Sequence, residues 1–224
     1  MLPRVLIVDD HPLVLAGLEW VLQKSGEFVV CGKAGSVSEA LGLVESTWPD
    51  VVVTDLSMPG RNGLELIKDL RAIHPELPVL VVSMHDEMIY AERALRSGGR
   101  GYLMKDVPPD RVIAAIRVVL QGGVYVSDAV NLHFLQALAG GGHQPKASFP
   151  IERLTDREME IFERIGRAEG NHEIAEALGI SPRTVDAHRA HIREKLGLGD
   201  GGELTRFAIR WVESGLMAMD GPPS

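Results

Sequence analysis

Five short apolar runs recur along the first half of the chain, at 5–8, 28–31, 51–54, 79–82 and 101–104, the first four of them rich in valine. Bounded apolar runs of this length read as strands. Between them, apolar residues return at helical spacing. Val14, Leu18, Val21 and Leu22 make one stripe, Ala40, Leu43 and Val44 a second, and Leu64, Ile67 and Leu70 toward Ile73 a third. Val112, Ile113, Ala115, Ile116 and Val119 make the last. Pro12 and Pro109 fit first helical turns, and Ser36 and Asn62 fit caps. Strands alternating with helices require right-handed crossovers. The expected fold of residues 1–123 is a doubly wound α/β domain with a five-stranded parallel sheet.

Charged residues end three of these runs. Asp9 and Asp10 follow Val5–Val8, Asp55 follows Val51–Thr54, and Lys105 follows Gly101–Met104. In an open parallel sheet, ligands sit outside the carboxyl ends of the strands, so these side chains can meet in one pocket. Crowded carboxylates repel unless a cation neutralises them. Oxygen ligands with room for water suit Mg²⁺, and a nearby lysine suits a phosphoryl oxygen. That is chemistry for moving a phosphoryl group. The bland alternative is a set of solvated loop carboxylates. His11 reads as a loop histidine rather than a further metal ligand.

Composition excludes several classes. A charge of −8 over 224 residues argues against a protein that coats nucleic acid without specificity. Residues 1–150 carry 13 basic against 17 acidic side chains, and the remainder 10 against 14. Any DNA binding therefore rests on local charge placement. The lone Cys31 precludes an internal disulfide and fits a reducing compartment as a buried, inert thiol. The N-terminal apolar stretch is too short for a signal peptide, and no run approaches the roughly 18 apolar residues of a membrane span. A cytoplasmic location is expected, with no membrane partner.

The second half changes character. Residues 124–150 read as a connector, with a short helix over 128–139 and a flexible linker in Gly140–Lys146. Residues 151–218 are purely helical. Thr155 and Glu158 form a capping box opening a helix to about Arg167. Asn171 is expected to cap a short helix, His172 to Leu178, stopped by Gly179. Ser181-Pro182 opens a longer helix to Leu196, which Gly197 ends. A fourth helix covers roughly Glu203 to Ser214. A short helix, a glycine turn and a longer helix make a helix-turn-helix arrangement.

The stretches VLIVDDHPLV, DVVVTDLSMPGRNGLEL, VLVVSMHDE and GYLMKDVPP resemble the receiver domain of two-component response regulators. The segment LTDREMEIFERIGRAEGNHEIAEALGISPRTVDAHRAHIREKLGL resembles the LuxR-type DNA-binding domain. Together the chain is similar to response regulators of the NarL/FixJ type. The resemblance implies Asp55 as phosphoacceptor from a sensor histidine kinase. It implies Mg²⁺ held by Asp10, Asp55 and the main-chain carbonyl of Ser57, with Asp9 acting through a bound water. It further implies Lys105 pairing with phosphoryl oxygens, Ser83 donating its hydroxyl to them, and Tyr102 as the aromatic that changes rotamer. A ring with its hydroxyl in water is the alternative for Tyr102. Ser57 and His85, two positions after Asp55 and Ser83, would border the reaction path.

The longer helix of the motif is expected to enter the major groove. Arg183, Arg189, Arg193 and Lys195 outweigh Asp186 and Glu194 along it. Val185, Ile192 and Leu196 fall on its buried face. Thr184, Asp186, Ala187, Arg189, Ala190 and Arg193 are left for outward roles. Arg183 and Arg193 suit phosphates, Arg189 a guanine edge, and Asp186 a cytosine amine. His188 and His191 suit packing or phosphate contacts. His172 stands where the family often has lysine, which removes one phosphate contact. Leu204, Ala208, Ile209 and Val212 of the last helix would mix domain core with a dimer contact, giving a phosphorylation-dependent homodimer on promoter half-sites. Two rivals stand beside this reading: a signalling adaptor that binds protein through its helical domain, and a stand-alone Asp/Mg²⁺ phosphotransferase.

Overall fold

The central apolar runs are strands enclosed from both sides: every residue of Val5–Val8, Val51–Val53 and Val79–Val82 is at most 3% exposed. The computed structural model describes residues 1–139 and 150–219, which form two units, the first ending at Leu138. In the first unit β1 (Arg4–Val8), α1 (Pro12–Ser25), β2 (Val29–Ala34), α2 (Val37–Thr47) and β3 (Val51–Thr54) come first. Then follow α3 (Gly63–Ile73), β4 (Val79–Ser83), α4 (Glu87–Ser97), β5 (Gly101–Met104), α5 (Pro109–Leu120) and α6 (Asp128–Ala139). The strands lie in the order β2-β1-β3-β4-β5, and every neighbouring pair is parallel. The expected doubly wound five-stranded sheet is present.

Side chains alternate across a strand, so each contributes to both layers. Val5, Ile7, Val51, Val53, Leu80 and Val82 join Leu22 of α1 and Val112, Ile113 and Ile116 of α5 in one core. Ser36 caps α2 by accepting from the Glu39 amide, and Asn62 caps α3 by accepting from Glu65. β2 runs three residues past the apolar stretch 28–31, through Gly32-Lys33-Ala34. As an edge strand it faces solvent along part of its length, so polar residues are tolerated there. Cys31 is half-buried and its thiol lies 3.5 Å from the Thr47 hydroxyl. The linker expected over Gly140–Lys146 lies outside the described residues.

The second unit holds a 3-10 turn (Pro150–Arg153), then α7 (Asp156–Gly166), α8 (Asn171–Leu178), α9 (Pro182–Leu196) and α10 (Gly201–Met219). The capping box at Thr155 and Glu158 is formed. Lys195 of α9 adds an ion pair of 2.5 Å to Glu158. Burial works to raise the Glu158 pKa and is the largest influence, but the bonds from Lys195 and Thr155 outweigh it and hold the pKa low. Its stabilising effect is thus present above the ordinary carboxylate range and fades as pH falls through the depressed value. Met159, Phe162 and Ile165 of α7 pack with Ile174, Leu178, Val185, Ile192, Leu204 and Ala208, all at most 1% exposed. The expected cap at Asn171 is corrected: α8 already starts at Asn171, with Gly170 as its N-cap. The Gly170 amide is taken by Glu173 at 2.7 Å, which frees the Asn171 side chain for another partner. No helix among the described residues is long and apolar enough to cross a membrane.

One glycine ties this fold to the site. A Cβ at Gly63 would overlap the Asp55 carbonyl oxygen and come within 2.9 Å of Leu56 Cα. Backbone cannot yield as a side-chain tip can, so α3 reaches the loop after β3 only because residue 63 lacks a side chain. Gly63→Ala is expected to cost about 3 kcal/mol in urea unfolding. Wild-type stability in that variant would mean that α3 and the loop are not packed so closely.

Candidate functional site

The sheet order reverses beside β1, and the carboxyl ends of β1 and β3 open there side by side. Val8 pairs with Thr54 in the ladder, so the next residues, Asp9 and Asp55, emerge as neighbours. The Asp55 amide donates to the Val8 carbonyl at 2.9 Å, and the Asp9 amide to Ala34 at 2.9 Å. Both carboxylates are therefore aimed by strand pairing. Asp9 and Asp55 are 1% and 4% exposed, far below the usual value for ionised side chains.

Lys105, delivered by the end of β5, answers that burial. Its Nζ lies 2.6 Å from Asp9 Oδ2 and 2.8 Å from Asp55 Oδ2. Its amide donates to the Ser83 carbonyl at 2.8 Å, fixing the chain after β5 against the end of β4. Burial alone would lower the lysine's pKa and is the largest single influence. The hydrogen bonds and charges of Asp55 and Asp9 together outweigh it, so the pKa is raised. A raised value in the folded state means that this stabilisation is complete below the lysine's ordinary pKa and is lost only as pH climbs through the raised one. The remaining Asp55 oxygen, Oδ1, accepts from the Leu56 amide at 2.7 Å.

Asp10 completes the group differently. Its Oδ1 is buried and receives no hydrogen bond. His11 Nδ1 stands 2.8 Å from that oxygen, but the hydrogen bond of that ring nitrogen is with Asp9 Oδ1, 3.2 Å away. An unsatisfied buried carboxylate oxygen is costly in a low-dielectric site. Asp9, Asp10, His11 and Asp55 each offer a ligand atom, all within 4.8 Å of one another. This donor set fits a metal ion: mostly hard oxygens, excess negative charge, and one oxygen left for coordination.

The remaining predicted residues lie on or just after β3, β4 and β5. Ser83 is fully buried at the end of β4, and its Oγ accepts a long bond, 3.4 Å, from the His85 amide. Tyr102 is 1% exposed and its hydroxyl donates to the His85 carbonyl at 2.8 Å. The reading of a ring with its hydroxyl in water is therefore corrected, and the inward position is already taken. Ser57 Oγ lies 2.7 Å from His85 Nε2, so the two residues read as bordering the reaction path touch each other. His85 also stacks on Tyr90, with ring centroids 4.6 Å apart. Tyr90 was missed by sequence reading, because its segment shows no clear apolar period.

In the second unit α9 exposes Arg183, Thr184, Asp186, Ala187, Ala190 and His191. Val185 and Ile192 are wholly buried as expected, whereas Leu196 is only half-buried. Arg189, expected to reach a guanine edge, is half-buried. Its guanidinium donates to Thr205 Oγ1 at 3.3 Å, and burial pushes its pKa down. That bond ties α9 to α10. Asp186 is held by the Asn171 side-chain amide in a short contact. Leu204 and Ala208 are fully enclosed, so the dimer contact expected of them is corrected to core packing. A Cβ at Gly166 would stand 2.6 Å from the Ala208 carbonyl, which shows how closely α7 and α10 approach. Only Ile209 and Val212 of that set keep partial exposure.

Comparison with known proteins decides the family. Residues 5–117 match the model of the response regulator receiver domain, and residues 152–208 that of bacterial regulatory proteins of the luxR family. The chain is 35% identical over 210 residues to the oxygen regulatory protein NreC of Staphylococcus aureus, covering 92% of this chain and 97% of that one. The chain belongs to the two-component response regulators of the NarL/FixJ type. It is a regulator of transcription. Among solved structures, RcsB of Salmonella enterica serovar Typhimurium, bound to promoter rprA with the phosphomimetic BeF3-, is 25% identical with a TM-score of 0.64. That match covers 93% of this regulator and 98% of RcsB. The response regulator ChrA of a heme-sensing two-component system is 30% identical with a TM-score of 0.52, covering 94% and 97% of the two chains.

If Lys105 offsets the paired carboxylates, its removal leaves two buried charges uncompensated. Lys105→Met is expected to lower stability by about 3 kcal/mol in chelator-treated protein at neutral pH. Added divalent cation should recover part of that loss in a thermal melt. Equal melting of variant and wild type in chelator would show that the ammonium does not hold the site together.

Proposed function

We propose that Asp55 is the acceptor of a phosphoryl group from the phosphohistidine of a sensor kinase, and that its phosphorylation raises affinity for promoter DNA. The observation that carries this reading is the convergence of Asp9, Asp10, Asp55 and Lys105 in one cluster at the strand ends that includes an unsatisfied carboxylate oxygen. Asp10, Asp55 and the Ser57 carbonyl would hold Mg²⁺, with Asp9 reaching it through water. When bound, Mg²⁺ screens the negative charge of donor and acceptor and orients the phosphoryl group.

The chain's own residues supply the rest. An Asp55 oxygen forms the new bond to phosphorus as the bond from phosphorus to the kinase imidazole breaks, its electron pair staying on the ring nitrogen. The Leu56 amide on Oδ1 holds the carboxylate in one orientation. Lys105 then transfers its hydrogen bond from Asp55 Oδ2 to a phosphoryl oxygen, and Ser83 donates its hydroxyl to another. Because Tyr102 already lies inward, phosphorylation stabilises an arrangement within reach rather than creating one. Moving a two-state switch from 1:99 to 99:1 takes about 5.5 kcal/mol of differential stabilisation. The regulator catalyses only its own phosphorylation and dephosphorylation, and acts in the cytoplasm, where kinase and promoter meet.

The phosphorylated regulator would act as a homodimer, with Ile209 and Val212 toward the second copy and α9 of each copy in the major groove. Half-sites then lie about 34–36 Å apart, one helical turn. The domain limits proposed are 1–123 for the receiver, 124–150 for the connector and 151–218 for the DNA-binding part. Within α9, Arg183 and Arg193 serve phosphates, while Thr184, Ala187 and Ala190 face the bases.

Two measurements test this. Asp55→Asn should accept no phosphoryl group from a small-molecule donor and show no donor-dependent gain in DNA affinity. Equal gain in wild type and variant would refute the assignment. For the recognition helix, Arg183→Ala should weaken binding to all sequences and reduce the salt slope of log K by about 1 in fluorescence anisotropy. Arg189→Ala should mainly lower the melting temperature of the DNA-binding unit. Altered base preference without lost stability would return Arg189 to the groove.

A further inference from the structure

Beyond α5 the chain does not leave the receiver at once. Gly122, at φ +82°, turns it back, and Gly123 lets it pass Val118 where a Cβ would meet the Val118 carbonyl at 3.0 Å. The following residues lie along the outer edge of β5. The Tyr102 amide donates to the Tyr125 carbonyl at 2.8 Å, and the Tyr125 amide to the Arg100 carbonyl at 3.0 Å. A Cβ at Gly101 would stand 2.7 Å from the Tyr125 oxygen, so glycine at the head of β5 is what admits this close seat. The Tyr125 side chain interacts with Arg111 of α5. Ser127 Oγ then donates to Glu87 Oε1 of α4 at 2.6 Å and accepts from the Val130 amide at the start of α6.

We infer that Val124–Ser127 is a strap that carries the phosphorylation state of the receiver to the connector helix α6. Resting on the phosphoacceptor reading above, it names the route by which that site is heard outside the receiver core. The strap is bonded to both parts of the receiver nearest the switch. One is the backbone of Tyr102, whose hydroxyl holds the His85 carbonyl. The other is Glu87, two residues past His85 and directly after Asp86, the N-cap of α4. His85 touches Ser57 through its ring and Ser83 through its amide. A displacement of Ser83 toward a phosphoryl oxygen therefore pulls on His85, reorients the first turn of α4, and reaches α6 through Glu87 and Ser127. Every link is a hydrogen bond or a peptide bond.

Glu87→Ala cuts this route while leaving Ser127 to cap α6, and Glu87→Gln keeps an acceptor for the Ser127 hydroxyl. The test uses the full chain with beryllofluoride as phosphoryl mimic and a promoter duplex. It reads the gain in DNA affinity together with deuterium uptake over 124–136. Wild type and Glu87→Gln should show the same gain. Glu87→Ala should bind beryllofluoride unchanged yet lose about fivefold of that gain, with deuterium uptake over 124–136 no longer responding to beryllofluoride. A full gain and a full deuterium response in Glu87→Ala would overturn the strap. Absence of any beryllofluoride response in wild type would instead sink the phosphoacceptor reading.

Discussion

Electrostatic repulsion among Asp9, Asp10 and Asp55 is the constraint on which the receiver is built. Two of these carboxylates are almost sealed from water, and at such burial little water lies between like charges to screen their repulsion. One ammonium, bridging Asp9 and Asp55 within 2.8 Å of each, supplies the nearest compensation. It leaves an Asp10 oxygen unsatisfied. A site so poised has unmet demand for positive charge, which a divalent cation meets, and a lysine that can change partner when a phosphoryl group arrives.

The sheet makes that poise possible. Parallel strands deliver their carboxyl ends to one edge, and the order β2-β1-β3-β4-β5 puts β1 and β3 in contact at the point of reversal. Ser83 and Lys105 come from the next two strands, joined by the Lys105 amide to the Ser83 carbonyl. No loop needs to be long or mobile to assemble the group. The same rigidity lets a small shift at Ser83 propagate, because Ser57, Ser83, Tyr90 and Tyr102 all hold His85.

In the DNA-binding unit the physics is that of capping and close packing. The part-buried ion pair from Lys195 to Glu158 commits a positive charge of α9 to holding α7. Arg189 is likewise drawn to Thr205. The net positive charge along α9 therefore overstates what is free to meet a phosphate backbone, and Arg183 at the exposed first turn gains in importance.

The one-dimensional pattern determined the alternation of strands and helices, the caps at Ser36, Asn62, Thr155 and Ser181, and the candidate residues at strand ends. These depend on local periodicity and on side chains bonding amides three residues away, which neighbouring residues carry in themselves. It also determined the helix over 128–139, bounded there by a glycine run. Only the tertiary structure decided which polar groups are already taken. Arg189 and Asp186 looked outward by helical spacing, yet Thr205 and Asn171, contributed by other helices, claim them. Leu204 and Ala208, expected to mix core with a dimer contact, lie wholly in the core, where α7 meets α10 at Gly166. Tyr125 on the edge of β5 and Glu87 beside Ser127 were likewise invisible. Those pairings depend on distances between segments 23 to 40 residues apart, and such distances exist only once the sheet has closed around its core.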